Sequence, residues 1–177
     1  MKKPVLLITI IFYLFPIMFL GQPAHKSTER HKLIEETAKE IIKSVKYCVL
    51  ISEGSDGYPN ARMMDPFQPD NKWIVWMGTN SKSRKVEEIK KNNKVSLYYE
   101  SPNGDGYVIL KGNGIIKNDR EAKLKYFKKG WEEFYPENRE GFTLIKFIPE
   151  KLEIVSYKNS LIGDKVTWEA PSVILKK

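Results

Sequence analysis

The residues with the most chemistry in the least chain are Gly78-Thr79-Asn80-Ser81-Lys82-Ser83-Arg84-Lys85, which put three cations and three hydroxyls into eight positions. They follow a strand-like run and open a helix-like one. Arg84 and Lys85 fall in the first helical turn, where the macrodipole makes a cation unfavourable by about 0.3 to 1 kcal/mol and welcomes an anion. A phosphate dianion there would offset that cost. Backbone N–H groups and Ser83 or Ser81 would hold its oxygens, Arg84 would add a bidentate fork and Lys85 a point charge. The competing reading is a solvated basic helix start, balanced by Glu87 and Glu88 one turn later.

Such a corner has to be built by the elements around it. Leu33, Ile34, Ala38, Ile41, Ile42 and Val45 recur at spacings of three and four, which predicts an amphipathic helix over about Thr28 to Ser44. The period then becomes two. Tyr47 to Ser52 and Asn60 to Met64 read as a hairpin turned at Asp56-Gly57, and Trp73 to Met77 as a third strand. Ser83 to Asn92 reads as a short helix, Val95 to Glu100 and Tyr107 to Ile116 as strands, and Asp119 caps a helix from Arg120 to about Lys129. Trp131 to Pro136 is an aromatic turn, and Thr143 to Ile148 and Leu152 to Tyr157 form a closing strand pair around Pro149. Gly112-Asn113-Gly114, inside a strand, marks a bulge at a barrel corner. Strands joined by tight turns, with only short helices between them, imply a small closed or partly closed barrel with helices on its ends.

The chain has 177 residues, 30 Lys plus Arg against 22 Asp plus Glu, and a net charge of +8. Two of the cations precede an apolar run. Lys2 and Lys3, the run from Pro4 to Leu20, and Gly21 before Gln22 have the three parts of an export signal over residues 1–21. An uncleaved anchor is the other reading, since the run is near the lower limit of about 17 residues for a span. Residues 22–177 then form a single domain. Export places the chain in the periplasm or outside the cell, with the membrane touched only through an uncleaved N-terminus. The lone Cys48 sits in the apolar string Tyr47-Cys48-Val49-Leu50-Ile51 and reads as a buried small hydrophobe. No His, Cys or carboxylate cluster offers a metal site or a general base. The lysines at 90, 91, 94, 123, 125, 128 and 129 are scattered over helix faces, which argues against nucleic acid as a partner.

The order strand, Gly-Thr-Asn, Ser-Arg-Lys, helix ending in Lys-Lys-Asn-Asn, then Val-Ser-Leu-Tyr-Tyr resembles the pyridoxamine 5′-phosphate oxidase superfamily of FMN-binding split barrels, most closely its general stress protein 26 branch. The resemblance spans roughly Ala38 to Tyr157. It is reinforced by Pro59-Asn60-Ala61-Arg62-Met63-Met64, by Tyr107-Val108-Ile109-Leu110-Lys111-Gly112, by Trp131-Glu132-Glu133-Phe134-Tyr135-Pro136 and by the closing strand pair. It implies a mainly β fold with flanking helices, a split barrel of six or so mostly antiparallel strands.

The resemblance also implies a site. Ser83, Arg84 and Lys85 would grip the FMN phosphate. Arg62, Met63 and Met64 would lie beside the flavin ring and phosphate, and Gly78 and Thr79 at the isoalloxazine and ribityl chain. Tyr107 would contribute a ring contact from the neighbouring subunit of a homodimer whose interface carries the flavin; plain packing is the alternative for Tyr107 and the better one for Trp76. Trp131, Phe134 and Tyr135 could line a substrate pocket or simply fill the core. The C-terminal Arg-Leu-x-Pro-type segment of the founding enzyme is absent from Leu161 to Lys177, which argues against vitamin B6 oxidation. The expected function is therefore an exported flavin-dependent oxidoreductase with an unknown small substrate and no assignable catalytic residue, the cofactor carrying the electron chemistry. A non-catalytic protein that binds or senses flavin, the deazaflavin F420 or haem is the alternative.

Overall fold

The computed structural model describes residues 24–135 and 141–175. The export signal or anchor expected over residues 1–21, and Pro136 at the end of the aromatic turn, lie outside the described residues. Helix α1 (Ala24–Ser44) begins earlier than the periodicity suggests. It buries Ile34, Thr37, Ala38, Ile41 and Ile42, whereas Leu33 is off the stripe and exposed. The strands β1 (Cys48–Glu53), β2 (Pro59–Met64), β3 (Val75–Asn80), β4 (Lys94–Glu100), β5 (Gly106–Lys117), β6 (Phe142–Ser156) and β7 (Ser172–Ile174) form one sheet, every pairing antiparallel. Helices α2 (Arg84–Lys91) and α3 (Arg120–Lys125) and a single 3-10 turn (Trp131–Glu133) complete the described elements.

The sheet order is β2-β1-β4-β5-β6-β3, with β7 added beside β6. Alternate residues face inward: Cys48, Leu50 and Ser52 on β1, Val95, Leu97 and Tyr99 on β4, Val108 and Leu110 on β5 are all buried. The sheet curls around this core and remains open. Its edge strands, β2 and β3, approach each other through the bridge Pro66↔Met77 and the Phe67 N–H donating to the Trp76 carbonyl at 2.8 Å. From that join the two edges diverge.

Three expectations are corrected. The third strand does not begin at Trp73, because Asp70 ties a turn there: its carboxylate accepts from the N–H groups of Lys72 at 2.8 Å and Ile74 at 2.9 Å, and Trp73 has φ 63. The strand runs instead through Asn80, so that Gly78 and Thr79 belong to it. The closing strand pair is one continuous strand. Pro149 does not break β6, because it stands opposite Gly112 at a register shift between Lys111 and Gly112, where a β carbon on residue 112 would be 2.7 Å from Pro149 Cα. The expected bulge is therefore what lets the strand bend and continue. Helix α3 ends at Lys125 and not near Lys129, since Tyr126 leaves the helix to stack on Trp76, centroids 4.3 Å apart and planes at 13°. Asp119 does cap that helix, accepting from the Ala122 N–H at 2.9 Å. The short β7 was not expected; three residues carry too little pattern to read.

Candidate functional site

The divergence of β2 and β3 leaves a cleft of about 220 Å³ between the two edges, lined by Met63, Met64 and Asp65 on one side and by Gly78 and Thr79 on the other. Edge strands carry unpaired backbone N–H and C=O groups, so the cleft offers main-chain hydrogen bonds as well as side chains. Lys85, Trp131, Phe134 and Tyr135 complete its lining.

Around Lys85 the geometry suits an anion. Ser83 sits at the N-cap position of α2 with extended backbone, yet its side chain caps nothing. Its hydroxyl lies 3.3 Å from that of Thr79, and the Lys85 ammonium donates to Thr79 Oγ1 at 3.1 Å. Lys85 is half-buried, and among the described residues no carboxylate lies within 4.0 Å of its ammonium. Burial, then the neighbouring Arg62 guanidinium, lower its pKa against the opposing pull of Glu88. A cation that is desolvated, beside a second cation and bonded only to a neutral hydroxyl is short of negative charge. These residues fit a phosphate group. Arg84, by contrast, is exposed at the first position of the helix.

Arg62 is already engaged. Its guanidinium donates to Glu88 Oε2 at 2.7 Å and to Ser52 Oγ at 2.6 Å. Glu88 also accepts from Ser52 Oγ at 2.6 Å and from Asn60 Nδ2 at 2.9 Å. The competing reading had Glu87 and Glu88 balance the basic helix start, but Glu87 pairs on the surface with Lys90, at 2.8 Å, and not with Arg84 or Lys85. Glu88 is buried and pairs with Arg62.

The aromatic side is pinned to β2 by a lysine that sequence reading missed. Lys128 donates to Asp65 Oδ1 at 2.6 Å and to the Pro66 carbonyl at 2.7 Å, and its ammonium lies 4.9 Å from the Phe67 ring centroid and 5.7 Å from that of Trp131. Trp131 packs edge-on to Phe67 and Phe127 and at a tilt to Phe142. Trp131 both packs inward on Phe127 and Phe142 and lines the cleft.

Five of the cofactor-binding candidates named from the sequence therefore meet in one cleft, Met63, Met64, Gly78, Thr79 and Lys85, together with the pocket candidates Trp131, Phe134 and Tyr135. Ser83 joins them through Thr79. Tyr107 does not. It sits on β5 against Tyr98, ring centroids 5.7 Å apart, and does not line the cleft within its own chain. Lys128, Asp65 and Glu88 were missed; the polar inward positions Ser52, Asn60 and Arg62 on the hairpin were the signal that a buried partner such as Glu88 had to exist. A larger depression, of about 550 Å³, lies over Lys94, Lys111, Lys151 and Gly112. Its lysines are paired with Glu150 at 3.4 Å and with Glu153 at 2.7 and 2.8 Å, so it lacks the uncompensated charge of the smaller cleft.

An open antiparallel sheet with three helices packed on it, and a cleft with a cationic corner in the gap between its edge strands, define a split-barrel protein. The chain belongs to the family described as pyridoxamine 5′-phosphate oxidase like, which matches residues 34–163. Among solved structures it is similar to a protein related to general stress protein 26 from Clostridium acetobutylicum, of the pyridoxinephosphate oxidase family, at 30% identity and TM-score 0.63, covering 71% of this chain and 89% of that one. General stress protein 26 from Bacillus anthracis shares 21% identity at TM-score 0.60, over 69% of this chain and 93% of its own. The same fold occurs in a heme binding protein from Mycobacterium smegmatis, at 13% identity and TM-score 0.61, over 80% of this chain and 58% of that one. Among curated proteins, none matches the chain.

Proposed function

We propose that the chain is an exported FMN-binding protein, active as a homodimer and as a flavin-dependent oxidoreductase on a small substrate. The observation that carries this reading is Lys85: a half-buried ammonium whose hydrogen bond goes to the neutral Thr79 Oγ1, in a cleft open to solvent. Lys85, Thr79 and Ser83 would hold the phosphate, with Arg84 adding charge from the helix start. The β2 edge at Met63 and Met64 and the β3 edge at Gly78 would flank the ring. Trp131, Phe134 and Tyr135 would exclude water from its far side. Bound FMN supplies the electron transfer, and the protein supplies position and electrostatics.

A second copy completes the site. Small-molecule sites enclose about 300 to 1,000 Å³, and the cleft of about 220 Å³ falls short of that for a whole nucleotide. The open face of the sheet carries half-buried Val49, Ile51, Tyr98, Tyr107, Ile109 and Val155 in adjacent register. Such a face suits a two-fold interface, in which Tyr107 would reach the partner's cleft. Lys2, Lys3 and the apolar run that succeeds them support the export reading.

The fold alone does not choose the cofactor, since the Mycobacterium smegmatis protein with the same fold is a heme binding protein. FMN is favoured over haem here because the Lys85, Thr79 and Ser83 corner suits a phosphate; of the side chains able to ligate haem iron, His31 is exposed on α1 and Cys48 is buried in the core, while Met63, Met64 and Tyr135 line the cleft. An absorbance spectrum of protein from its native compartment separates flavin, F420 and haem. The direct test is titration with FMN followed by flavin fluorescence. Quenching that is lost in the variant with Lys85→Ala and Arg84→Ala supports the site; no quenching with the wild type, or equal quenching with the variant, overturns it.

A further inference from the structure

Phe134 is 72% exposed, the most of the three aromatic residues that line the cleft. The turn that presents it is fixed by hydrogen bonds: the Trp131 N–H donates to the Lys128 carbonyl at 3.1 Å, and the N–H groups of Phe134 and Tyr135 both donate to the Trp131 carbonyl at 3.0 Å. Gly130, at φ 93, supplies the left-handed residue that starts it. Trp131 and Tyr135 turn onto Phe142, with ring centroids 5.8 and 4.9 Å apart. Phe134 does not follow them, and among the described residues its ring meets no other ring. Met63, 67% exposed, lines the same cleft. Apolar side chains held in the open around one concavity mark a place where a ligand covers them.

The charges beside this wall are already engaged. The Lys128 ammonium donates to Asp65 Oδ1 at 2.6 Å, to the Pro66 carbonyl at 2.7 Å and to the Asp65 carbonyl at 3.4 Å, which uses all three of its protons. Exposed Lys129 is matched in number and sign by Glu132 and Glu133 on the turn itself. Among the described lining residues Lys85 is the one cation, and the FMN phosphate would take it. Asp65, on the same lining, opposes a second anion.

We propose that the substrate of the FMN-loaded cleft is a flat, uncharged, conjugated molecule that packs on Phe134 and Met63, and that Phe134 is the residue that selects it. This deepens the reading that the cleft takes FMN and rests on it.

The test titrates the full-length protein, saturated with FMN, with two probes of one shape: 2-naphthol, uncharged in neutral solution, and 2-naphthalenesulfonate, an anion. Calorimetry gives both dissociation constants. Wild type should bind naphthol about tenfold or more tightly than the sulfonate, since Asp65 repels the anion and no free cation attracts it. Phe134→Ala should weaken naphthol about five- to tenfold, the size of one lost aromatic contact, and Phe134→Trp should restore it to within about twofold. Because Phe134 is largely exposed, neither substitution disturbs the core. A sulfonate that binds as tightly as naphthol, or naphthol affinity unchanged in Phe134→Ala, overturns the proposal. A wild type that takes up no FMN overturns the cofactor reading instead, and naphthol titrated into that flavin-free protein separates the two: binding that depends on Phe134 upholds its selecting role, and no binding overturns that role as well.

Discussion

The indole of Trp131 occupies the space that a side chain at residue 78 would need: a β carbon on Gly78 would stand 2.8 Å from Trp131 Cη2 and 2.6 Å from Phe142 Cε2. The glycine is thus required by packing, where the strand passes beneath the aromatic wall of the cleft. Gly78→Ala either displaces the indole or strains β3, and overpacking of this kind costs about 1 to 3 kcal/mol. The expected result is a Tm lower by roughly 3 to 10 °C in calorimetry, with a changed tryptophan emission and weaker FMN binding. A variant with wild-type Tm and emission would show that Trp131 does not pack on residue 78.

Lys85 should leave a signature in alkaline solution. Its pKa lies below the ordinary 10.5, chiefly through burial and then through Arg62. Between that lowered value and 10.5 the unfolded chain binds more protons than the folded one, so stability rises with pH across this window. Denaturation midpoints measured upward from about pH 8 should show the rise in the wild type and lose it in Lys85→Met. FMN binding should run the opposite way. An anion favours the protonated lysine, so FMN affinity falls through the same window, and in Lys85→Met that fall is absent.

Cys48 is the simplest probe of the core. It is 2% exposed at the start of β1, and burial pushes its thiol pKa up to about 12. Because the thiolate is the reacting species, iodoacetamide at about pH 8 should leave the folded protein unmodified over hours and label it fully in denaturant. Rapid labelling without denaturant would contradict the inward orientation of the strand.

The parts of the fold and site that were legible in the sequence are those with local causes. The hairpin, the cap at Asp119 and the bulge at Gly112 each follow from a few neighbouring residues, and the order of motifs around Gly78 to Lys85 brought together a set of residues that the cleft assembles. What was illegible depends on contacts distant in sequence. Pro149 looks like a strand break until Gly112 is seen opposite it in β5. Tyr126 and Phe127 look helical until Trp76 and Phe142 draw them onto the sheet. Glu88 reads as a surface counter-charge because helix periodicity cannot see that Ser52, Asn60 and Arg62 turn their polar groups toward it. Lys128 was one of several lysines on a helix end, and only its reach to Asp65 and the Pro66 carbonyl sets it apart.

The buried pair predicts a specific acid response. Burial by itself would raise the Glu88 pKa, but hydrogen bonds from Ser52, Arg62 and Asn60, together with the Arg62 charge, outweigh it, and the pKa is lowered below 4.5. A carboxylate with a depressed folded pKa contributes stability that is fully present above its unfolded pKa and is lost as pH falls through the folded one. Removing the charge from one member of a buried pair costs about 3 kcal/mol. Glu88→Gln should therefore melt roughly 6 to 12 °C below wild type at neutral pH. That gap should narrow as pH falls below 4.5, because the wild type then progressively loses the contribution of the same charge. Melting curves across this range decide it: a gap that stays constant down to the acid transition would mean that the Glu88 charge contributes nothing to holding α2 against the hairpin.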